Sequence, residues 1–584
     1  MNSDIPERSI AVLPLLNLSP DHESEYFSDG MTEEIINALT KVQGLKVTAR
    51  TSSFAYKGKD IDAREIGKTL GVSTLLEGSV RKFGNRLRIT VQLVQVDDGF
   101  HLWSDKFDRQ LEDVFALQDE ISLLVADKIR ENFGHLEMQD QLVVKATRNI
   151  VAYDYFLKGR SLMLKWTLPD IEHAIDSFKE AIAQDENFAR AYYEVVWCYY
   201  ILISWGYYDK GEAEEIAAAY FHKAKSIESN LAEYHFCLAT KSFWIDWNFE
   251  VAYQQLLKTL EINPQYSLAL EGMAELMLAT GHFDAGLEYI NKGLEVDPLS
   301  ANHNYTKAHL LYYSGKGKQA IPYFDKALDL KPDFELAYGQ KALCLIHLND
   351  VVELKKHVSS GSLSVIVEAL NKLVHTSAEK LPEQVLNAAA PEITLLPWRL
   401  YLLTHSDRKL EAEKLLEIYL EKKLGQLINY NYDPLLVPIL QSPSIATLSE
   451  LDFIPQEETQ EKNDIPIETD GTELELEKLM QEEELFLQPD LNLRSLAGKM
   501  EMHPNKLSWL INESLGKNFN EYINTMRIET FKQKALNPEN SHITLLGLAY
   551  ESGFNSKSVF NDFFKKSTGM TPRAWVKSKE MEPE

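Results

Sequence analysis

A 34-residue period in the middle of the chain restricts its fold more than any other feature of the sequence. A small residue recurs at spacings of 43, 35, 34 and 34 residues, and a large apolar residue follows it by four positions. The recurring small residues are Ala174, Ala217, Ala252, Gly286 and Ala320. Small side chains let neighbouring helices approach closely and the large one fills the gap, so the period predicts stacked helix pairs.

Residues 150–350 are therefore predicted to form an all-α solenoid, and their spacing resembles that of tetratricopeptide repeats. Pro264, Pro298 and Pro332 close three units, and the surplus near the letters WGYYDKGEA is predicted to be an insertion in one loop. The resemblance implies a concave face that binds a protein or peptide segment. The candidate groove residues, which at helical spacing are more often core, are Tyr192, Tyr193, Leu270, Tyr305 and Tyr338.

The last hundred residues carry the pattern of a helix-turn-helix twice, about 52 residues apart. Each copy has a first helix with a small residue (Ala497 or Ala549), a turn, and a second helix held by apolar anchors. The anchors are Leu493, Leu496, Met500, Leu507, Leu510 and Ile511, then Leu545, Leu548, Phe554, Phe560, Phe563 and Phe564. Two such units could contact successive major-groove segments on one face of DNA.

Residues 486–584 resemble the tandem DNA-binding domain of AraC-type transcription regulators. The most specific run is LAYESGFNSKSVFNDFFKKSTGMTP, residues 548–572. The resemblance implies an all-α domain with two helix-turn-helix units that binds a specific site in double-stranded DNA. The family often has an arginine on each recognition helix where this chain has Trp509 and Asp562, and Glu501 stands where a turn glycine is usual. These departures bear on affinity and site preference rather than on the fold.

The faces left free by the buried anchors predict the DNA contacts. The predicted base contacts are Asn505, Ser508, Trp509 and Asn512 on the first recognition helix, and Ser556, Lys557, Ser558 and Asn561 on the second. Asparagine can pair bidentately with adenine. Lys565, Lys566 and Arg573 are predicted to contact phosphates. The alternative is that some of these side chains only solvate a helix face.

Residues 1–130 are predicted to form an α+β domain. A strand over SIAVLPLL precedes a helix capped by Asp29 or Thr32, and a β-meander later in the domain turns at Gly84 and Asn85. The letters IAVLPLLNLSPD, EYFSDGMTEEI and LRITVQLVQVDDGFHLWSDKFDR resemble the TolB-like amino-terminal module of bacterial regulatory proteins. That module is often followed by tetratricopeptide repeats and sometimes linked to adenylate cyclases. Turn and cap roles, rather than a metal site, are expected for Asp21, Asp29, Asp97 and Asp98.

Two segments join these domains. Residues 351–455 are irregular but helical, and either degenerate repeats or a cap fits them. Residues 456–485 form an acidic linker: from Gln456 to Glu484 there are 12 acidic residues against 2 lysines. Such a run is typical of a solvated linker or an exposed helix, and a second hypothesis is that it competes with DNA for the basic domain.

Charge and cysteine usage limit the class of protein. The net charge is −28, but Pro489 to Lys579 carries 13 Lys and Arg against 8 Asp and Glu, a balance of +5, so the remainder carries −33. This argues against indiscriminate nucleic-acid binding by the whole molecule, because phosphate contacts need clustered cations. Cys198, Cys237 and Cys344 have no metal-ligand spacing and are predicted to be core thiols in a reducing compartment. No signal peptide is found, and the apolar run 191–208 lies within a repeat, so we predict a cytoplasmic protein without a membrane span.

No catalytic motif is present: the sequence lacks GxxxxGK[ST], HExxH, paired CxxC and GxSxG patterns. We therefore expect neither an enzyme nor a cofactor or metal.

The sequence predicts a specific DNA-binding transcription regulator whose upstream modules receive a signal; the alternative is an interaction scaffold whose DNA-binding domain is weak or lost. A homodimer is compatible with either. The acidic segment or the amino-terminal domain could also occupy the repeat groove and restrain the DNA-binding domain. The operator, the effector and the choice between activation and repression are left open.

Overall fold

The computed structural model describes residues 5–19, 25–143, 145–358, 362–376, 380–389, 395–442, 445 and 472–580. Within these ranges a mixed sheet with its helices comes first, helix pairs follow, and a helical domain comes last. No helix in these ranges is long and apolar enough to cross a membrane. Much of the apolar run 191–208 forms a helix of the array, where Tyr193, Trp197 and Tyr200 are buried.

One sheet organises the amino-terminal domain. Its strands are β1 (Ser9–Val12), β2 (Leu16–Asn17), β3 (Lys46–Val47), β4 (Thr74–Phe83), β5 (Arg86–Gln95) and β6 (His101–Gln110). Their order is β3-β1-β4-β5-β6, with β2 also paired to β4; the β4-β5-β6 ladder is antiparallel and the other pairs are parallel. The predicted hairpin turn at Gly84 (φ 55°) and Asn85 is confirmed. The alternating residues of β5 from Leu87 to Leu93 are buried, as predicted.

The helices of this domain are α1 (Glu25–Leu39), α2 (Arg50–Phe54), α3 (Ala63–Leu70) and α4 (Val114–Phe133). The prediction that Asp29 or Thr32 caps α1 is wrong, because both residues lie inside the helix. Their polar groups have tertiary partners instead: Lys57 Nζ lies 2.6 Å from Asp29 Oδ1, and the Thr32 hydroxyl accepts the N–H of Leu15. The predicted turn role of Asp98 is confirmed, since its carboxylate accepts the N–H of Phe100.

Asp21 lies outside the described residues. In the ranges that the structure covers, no group of three or more His, Cys, Asp or Glu side chains could hold a metal ion.

Paired helices continue the chain in an array. The pairs are α5 (Ile150–Met163) with α6 (Leu168–Gln184), α7 (Ala189–Ser204) with α8 (Lys210–Ile227), α9 (Ala232–Thr240) with α10 (Phe249–Ile262), α11 (Ser267–Ala279) with α12 (Phe283–Val296), α13 (Ala301–Tyr313) with α14 (Gly317–Leu330), and α15 (Glu335–His347) with α16 (Val351–His357). The predicted small alanines are fully buried, and a Cβ on Gly286 would lie 2.7 Å from Leu310. The three cysteines are buried free thiols, as predicted.

The predicted loop insertion near residues 205–213 is wrong in its main part. Helices α7 and α8 have 16 and 18 residues, whereas α13 and α14 have 13 and 14. Most of the surplus therefore lengthens helices. The longer α7 is held by packing of Trp197 against Trp166, whose ring centroids are 5.4 Å apart.

The amino-terminal domain sits against the first helices of the array, which line the concave side of stacked helix pairs. Arg160 of α5 contacts Glu33, and Arg190 of α7 lies 3.0 Å from Glu34. Farther along, the Ser52 hydroxyl donates to Asp297. The amino-terminal domain therefore contacts the side of the array that the repeat resemblance predicts to bind a protein or peptide segment.

Helices α17 (Ser362–His375), α18 (Glu383–Ala388), α19 (Trp398–Thr404), α20 (Lys409–Glu421) and α21 (Val437–Leu440) follow the array. They share one apolar core with α15, so this segment, which we call the cap, packs on the end of the array. Degenerate repeats remain the alternative interpretation of its helices.

The last domain contains α22 (Thr472–Gln481), α23 (Leu493–Lys499), α24 (Pro504–Trp509), α25 (Phe519–Leu536), α26 (Leu545–Glu551), α27 (Lys557–Thr568) and α28 (Pro572–Glu580). The predicted linker falls partly on residues 456–471, outside the described residues. Its second half contains helix α22, which buries Leu476 and Met480 in the core of the last domain and leaves Leu474 and Glu475 exposed. Of the two alternatives, this part of the segment fits an exposed helix rather than a solvated linker.

Candidate DNA-binding face

Two helical hairpins form the candidate site: the first unit (α23, α24 and a π-helical turn Leu510–Ser514) and the second unit (α26 and α27). In the first, Asn492 and Ser495 form a capping box that starts α23, and the predicted anchors are buried. The turns of the two units differ in the residue that the sequence places there, glutamate in the first and glycine in the second. Glu501 has φ 49°, in the left-handed region that favours glycine, and Gly553 of the second unit has φ 95°.

Helix α25 fixes the two units relative to each other. It contributes Ile523 to the core of the first unit and Phe531 to that of the second, where the Phe531 ring lies 4.7 Å from Phe560. Its Arg527 is buried and donates to the carbonyl oxygens of Phe486 and Gln488. Burial lowers the pKa of Arg527 to about 10, so the side chain stays charged at neutral pH.

The second unit presents its predicted DNA face to solvent. Lys557 and Ser558 are exposed, and Ser556 and Asn561 are partly exposed. The three predicted phosphate contacts, Lys565, Lys566 and Arg573, are also exposed, although Lys566 Nζ lies 3.1 Å from Glu521. Asp562, which replaces an expected arginine, is exposed on the same helix.

The first unit lies with its predicted DNA face against the amino-terminal domain. Asn505 donates to the carbonyl oxygen of Met138 (2.9 Å) and accepts from Arg130 (2.8 Å). Ser508 is only 2% exposed. Asn512 Oδ1 would be 2.7 Å from a Cβ placed on Gly134. In this arrangement these side chains are not available to DNA, and their base contacts remain a prediction.

Further polar contacts between the two domains surround that face. Asp127 of α4 contacts Arg494, Glu131 accepts the backbone N–H of Leu493 (3.1 Å), and Asp140 lies 3.1 Å from His503 Nε2. Asn518 also donates to the carbonyl oxygen of Asn132, and Asn520 donates to the Asn132 side chain. Sequence reasoning missed this surface. The feature of the sequence that could have indicated this surface is the four-residue spacing of Asp127 and Glu131, which places both carboxylates on one face of a helix.

A second candidate site is a cavity of about 1980 Å³ between the amino-terminal domain, the inner side of the array and the cap. Glu271 and Glu275 line it, and burial raises the pKa of both carboxyls. Glu271 has His303 at 3.7 Å, but no cation pairs with Glu275 among the described residues. His309 also lines the cavity, and burial lowers the pKa of this imidazole to about 3.

The predicted groove residues divide between core and cavity. Tyr192, Tyr193 and Leu270 are buried in the core, and the Tyr338 hydroxyl donates to the carbonyl oxygen of His357. Tyr305 lines the cavity.

Two family models match segments of the chain. Residues 496–578 match a family described as a helix-turn-helix domain. The carboxy-terminal segment carries a helix-turn-helix domain of the AraC type. Residues 6–124 match the second domain of HilA/YgeH-like transcriptional regulators. The two matches support a DNA-binding transcription regulator, whereas the TolB-like resemblance of the amino-terminal domain stays a prediction.

Similarity to a curated protein is limited to part of each chain. A Rhizobium meliloti (strain 1021) protein, provisionally named adenylate cyclase 3, is 45% identical over 158 residues, which are 27% of either chain. The chain thus spans about a quarter of that relative's length.

Several solved structures are similar to part of this chain. The peptide-binding repeat protein YrrB is 22% identical with a TM-score of 0.23, covering 32% of this chain and 91% of YrrB. PilF of Pseudomonas aeruginosa is 18% identical with a TM-score of 0.29, covering 39% of this chain and 93% of PilF. Human IFIT1 is 16% identical with a TM-score of 0.33, covering 50% of this chain and 73% of IFIT1. Likenesses this low bear on neither function nor partner.

Proposed function

We propose that this protein is a transcription regulator that binds a specific site in double-stranded DNA through both units of its last domain. The observation that carries the proposal is the exposed face of α27, which joins polar side chains to cations on a domain matched as a helix-turn-helix. Lys557 and Asn561 would contact base edges in the major groove. Lys565, Lys566 and Arg573 would contact phosphates and so position the domain.

The upstream domains would receive the signal, and we propose that the signalling ligand binds in the cavity. Its glutamates lie where burial disfavours their charge, so a protonated amine, either a small molecule or a basic peptide side chain, would relieve that cost. The cavity connects to the amino-terminal domain through polar contacts. His303 and Asp297 both lie 3.3 Å from the Ser267 hydroxyl, and Asp297 accepts from Ser52 of α2.

Selection of duplexes from a random-sequence pool tests the proposal. The full chain should enrich a defined sequence, and competition with unselected duplex should show a specificity ratio of about a thousandfold or more. If no sequence is enriched, the proposal is wrong, and the alternative of an interaction scaffold with a weak or lost DNA-binding domain is favoured. The proposal includes no enzymatic step, so cyclic AMP production by the purified protein would contradict it.

A further inference from the structure

We infer that the α4 brace, defined as residues 127–140, occupies the DNA face of the first unit and must leave before both units can bind DNA. The inference rests on the proposed function, because it concerns regulation of the same site. In this inference the amino-terminal domain and DNA compete for the same face of the first unit.

The brace presents carboxylates to the kinds of group that ordinarily hold DNA phosphates. Cationic side chains and backbone N–H groups are among the usual donors to DNA phosphates. Here Asp127 contacts Arg494, and Glu131 accepts the N–H of Leu493 at the first residue of α23. Asp140 reaches His503, which caps the N-terminus of α24. The acidic side chains thus pair with donors that DNA phosphates would contact in a complex.

The brace also contacts the side chains that would face the bases. Arg130 is fully buried between Asp127 (2.5 Å) and Asn505 (2.8 Å), so the recognition helix receives a specific hydrogen bond. A helix with its side chains is about 10–12 Å wide, close to the roughly 12 Å width of the major groove. α4 and a duplex therefore cannot lie against the same face of α24 together.

Release of the brace would require movement of a whole domain. Ile121, Val125 and Ile129 of α4 are fully buried in the amino-terminal core, so α4 is not a detachable arm. That domain is in turn held on the array by Arg160 and Arg190. If the competent arrangement is a small fraction of molecules, the apparent DNA dissociation constant rises by the inverse of that fraction.

The test compares full-length variants on duplexes enriched from a random pool by wild type and by Glu131→Lys. The new lysine would lie beside Lys128, Arg130 and Arg494, and repulsion between these like charges should weaken the docked arrangement. Glu120→Lys is the matched control. It changes the charge equally on the same helix, about 16 Å away, where Glu120 pairs with Arg109 at the surface. Hydrogen exchange of unmodified protein, with and without duplex, gives a readout that does not depend on a variant.

We expect Glu131→Lys to bind the enriched duplex about tenfold more tightly than wild type, the change for loss of one charge-assisted contact, and Glu120→Lys to match wild type. Amides of residues 127–140 should lose protection when duplex binds the unmodified chain. Equal affinities of wild type and Glu131→Lys, or protection of 127–140 unchanged by bound duplex, would overturn the inference while leaving DNA binding intact. If neither protein enriches a sequence, the proposed function fails and the inference fails with it.

Discussion

Two asparagines show how the surroundings decide what a side chain can recognise. Asn505 and Asn561 both lie on second helices of their units, but Asn505 is paired with Arg130 and Met138 while Asn561 is partly exposed. An asparagine can read adenine only if its amide is unoccupied. The sequence could place both residues on free faces, because the buried anchors were recognisable. It could not show that one face is covered by a residue 375 positions away.

For Asn561→Ala we expect a loss of about 1–3 kcal/mol in discrimination at one base pair of the selected site. Binding to unselected duplex should change little, since phosphate contacts remain. Competition binding with duplexes altered at each position measures this. A variant that keeps both its affinity and its base preference would remove Asn561 from the base contacts.

Lys565→Ala should instead weaken binding to all duplexes alike. Loss of one phosphate contact should reduce the slope of log affinity against log salt by about 0.9. Lys318→Ala, an exposed lysine of α14, changes the net charge equally far from the DNA-binding domain and serves as control. Identical slopes for the two variants would mean that Lys565 is ordinary surface charge.

At the scale of elements, the turns of the two units have the same role with different residues. Gly553 is enclosed as well as left-handed, since a Cβ there would lie 2.6 Å from the carbonyl oxygen of Phe486. Glu501 adopts φ 49° on the surface, where its side chain has room. The sequence pattern identified both turns because a turn between two helices limits the backbone strongly. It misplaced the start of α1, since Asp29 and Thr32 take partners from other elements.

Gly553→Ala should destabilise the last domain by about 1–3 kcal/mol, because it adds both backbone strain and a steric clash. Gly498→Ala is a matched control within α23, where nothing lies within 4 Å of the added Cβ. This control should stabilise by up to about 1 kcal/mol through helix propensity. Thermal unfolding of both variants measures the contrast, and equal shifts would contradict the strain at Gly553.

At the scale of the molecule, the array joins its cap through a buried acid. Asp433 accepts hydrogen bonds from Tyr401 (2.6 Å) and Tyr313 (3.3 Å), and burial raises its pKa to about 6. The 34-residue period predicted the array because each pair repeats the same local packing. The placement of cap and amino-terminal domain follows from single contacts between distant segments, which have no period to detect.

The raised pKa of Asp433 predicts a pH dependence of stability. A folded pKa near 6 above an unfolded value near 3.8 means that the folded state binds the proton more tightly. The resulting stabilisation is complete below pH 3.8 and is lost as the pH rises through about 6. Its size is on the order of 3 kcal/mol. Asp433→Asn should remove this component. We expect unfolding midpoints of wild type and variant to diverge between pH 4 and pH 7 (roughly the titration range); parallel curves would contradict the assignment.

The contact between Asp127 and Arg494 can form only late in the synthesis of the chain. Its two residues are 367 positions apart, and synthesis at about 5–20 residues per second separates their emergence by roughly 20–70 seconds. During that interval the acidic face of α4 has been made but the unit that covers it has not. A nascent chain therefore exposes Asp127 and Glu131 to other basic partners, and each molecule closes the brace only after the last domain has folded.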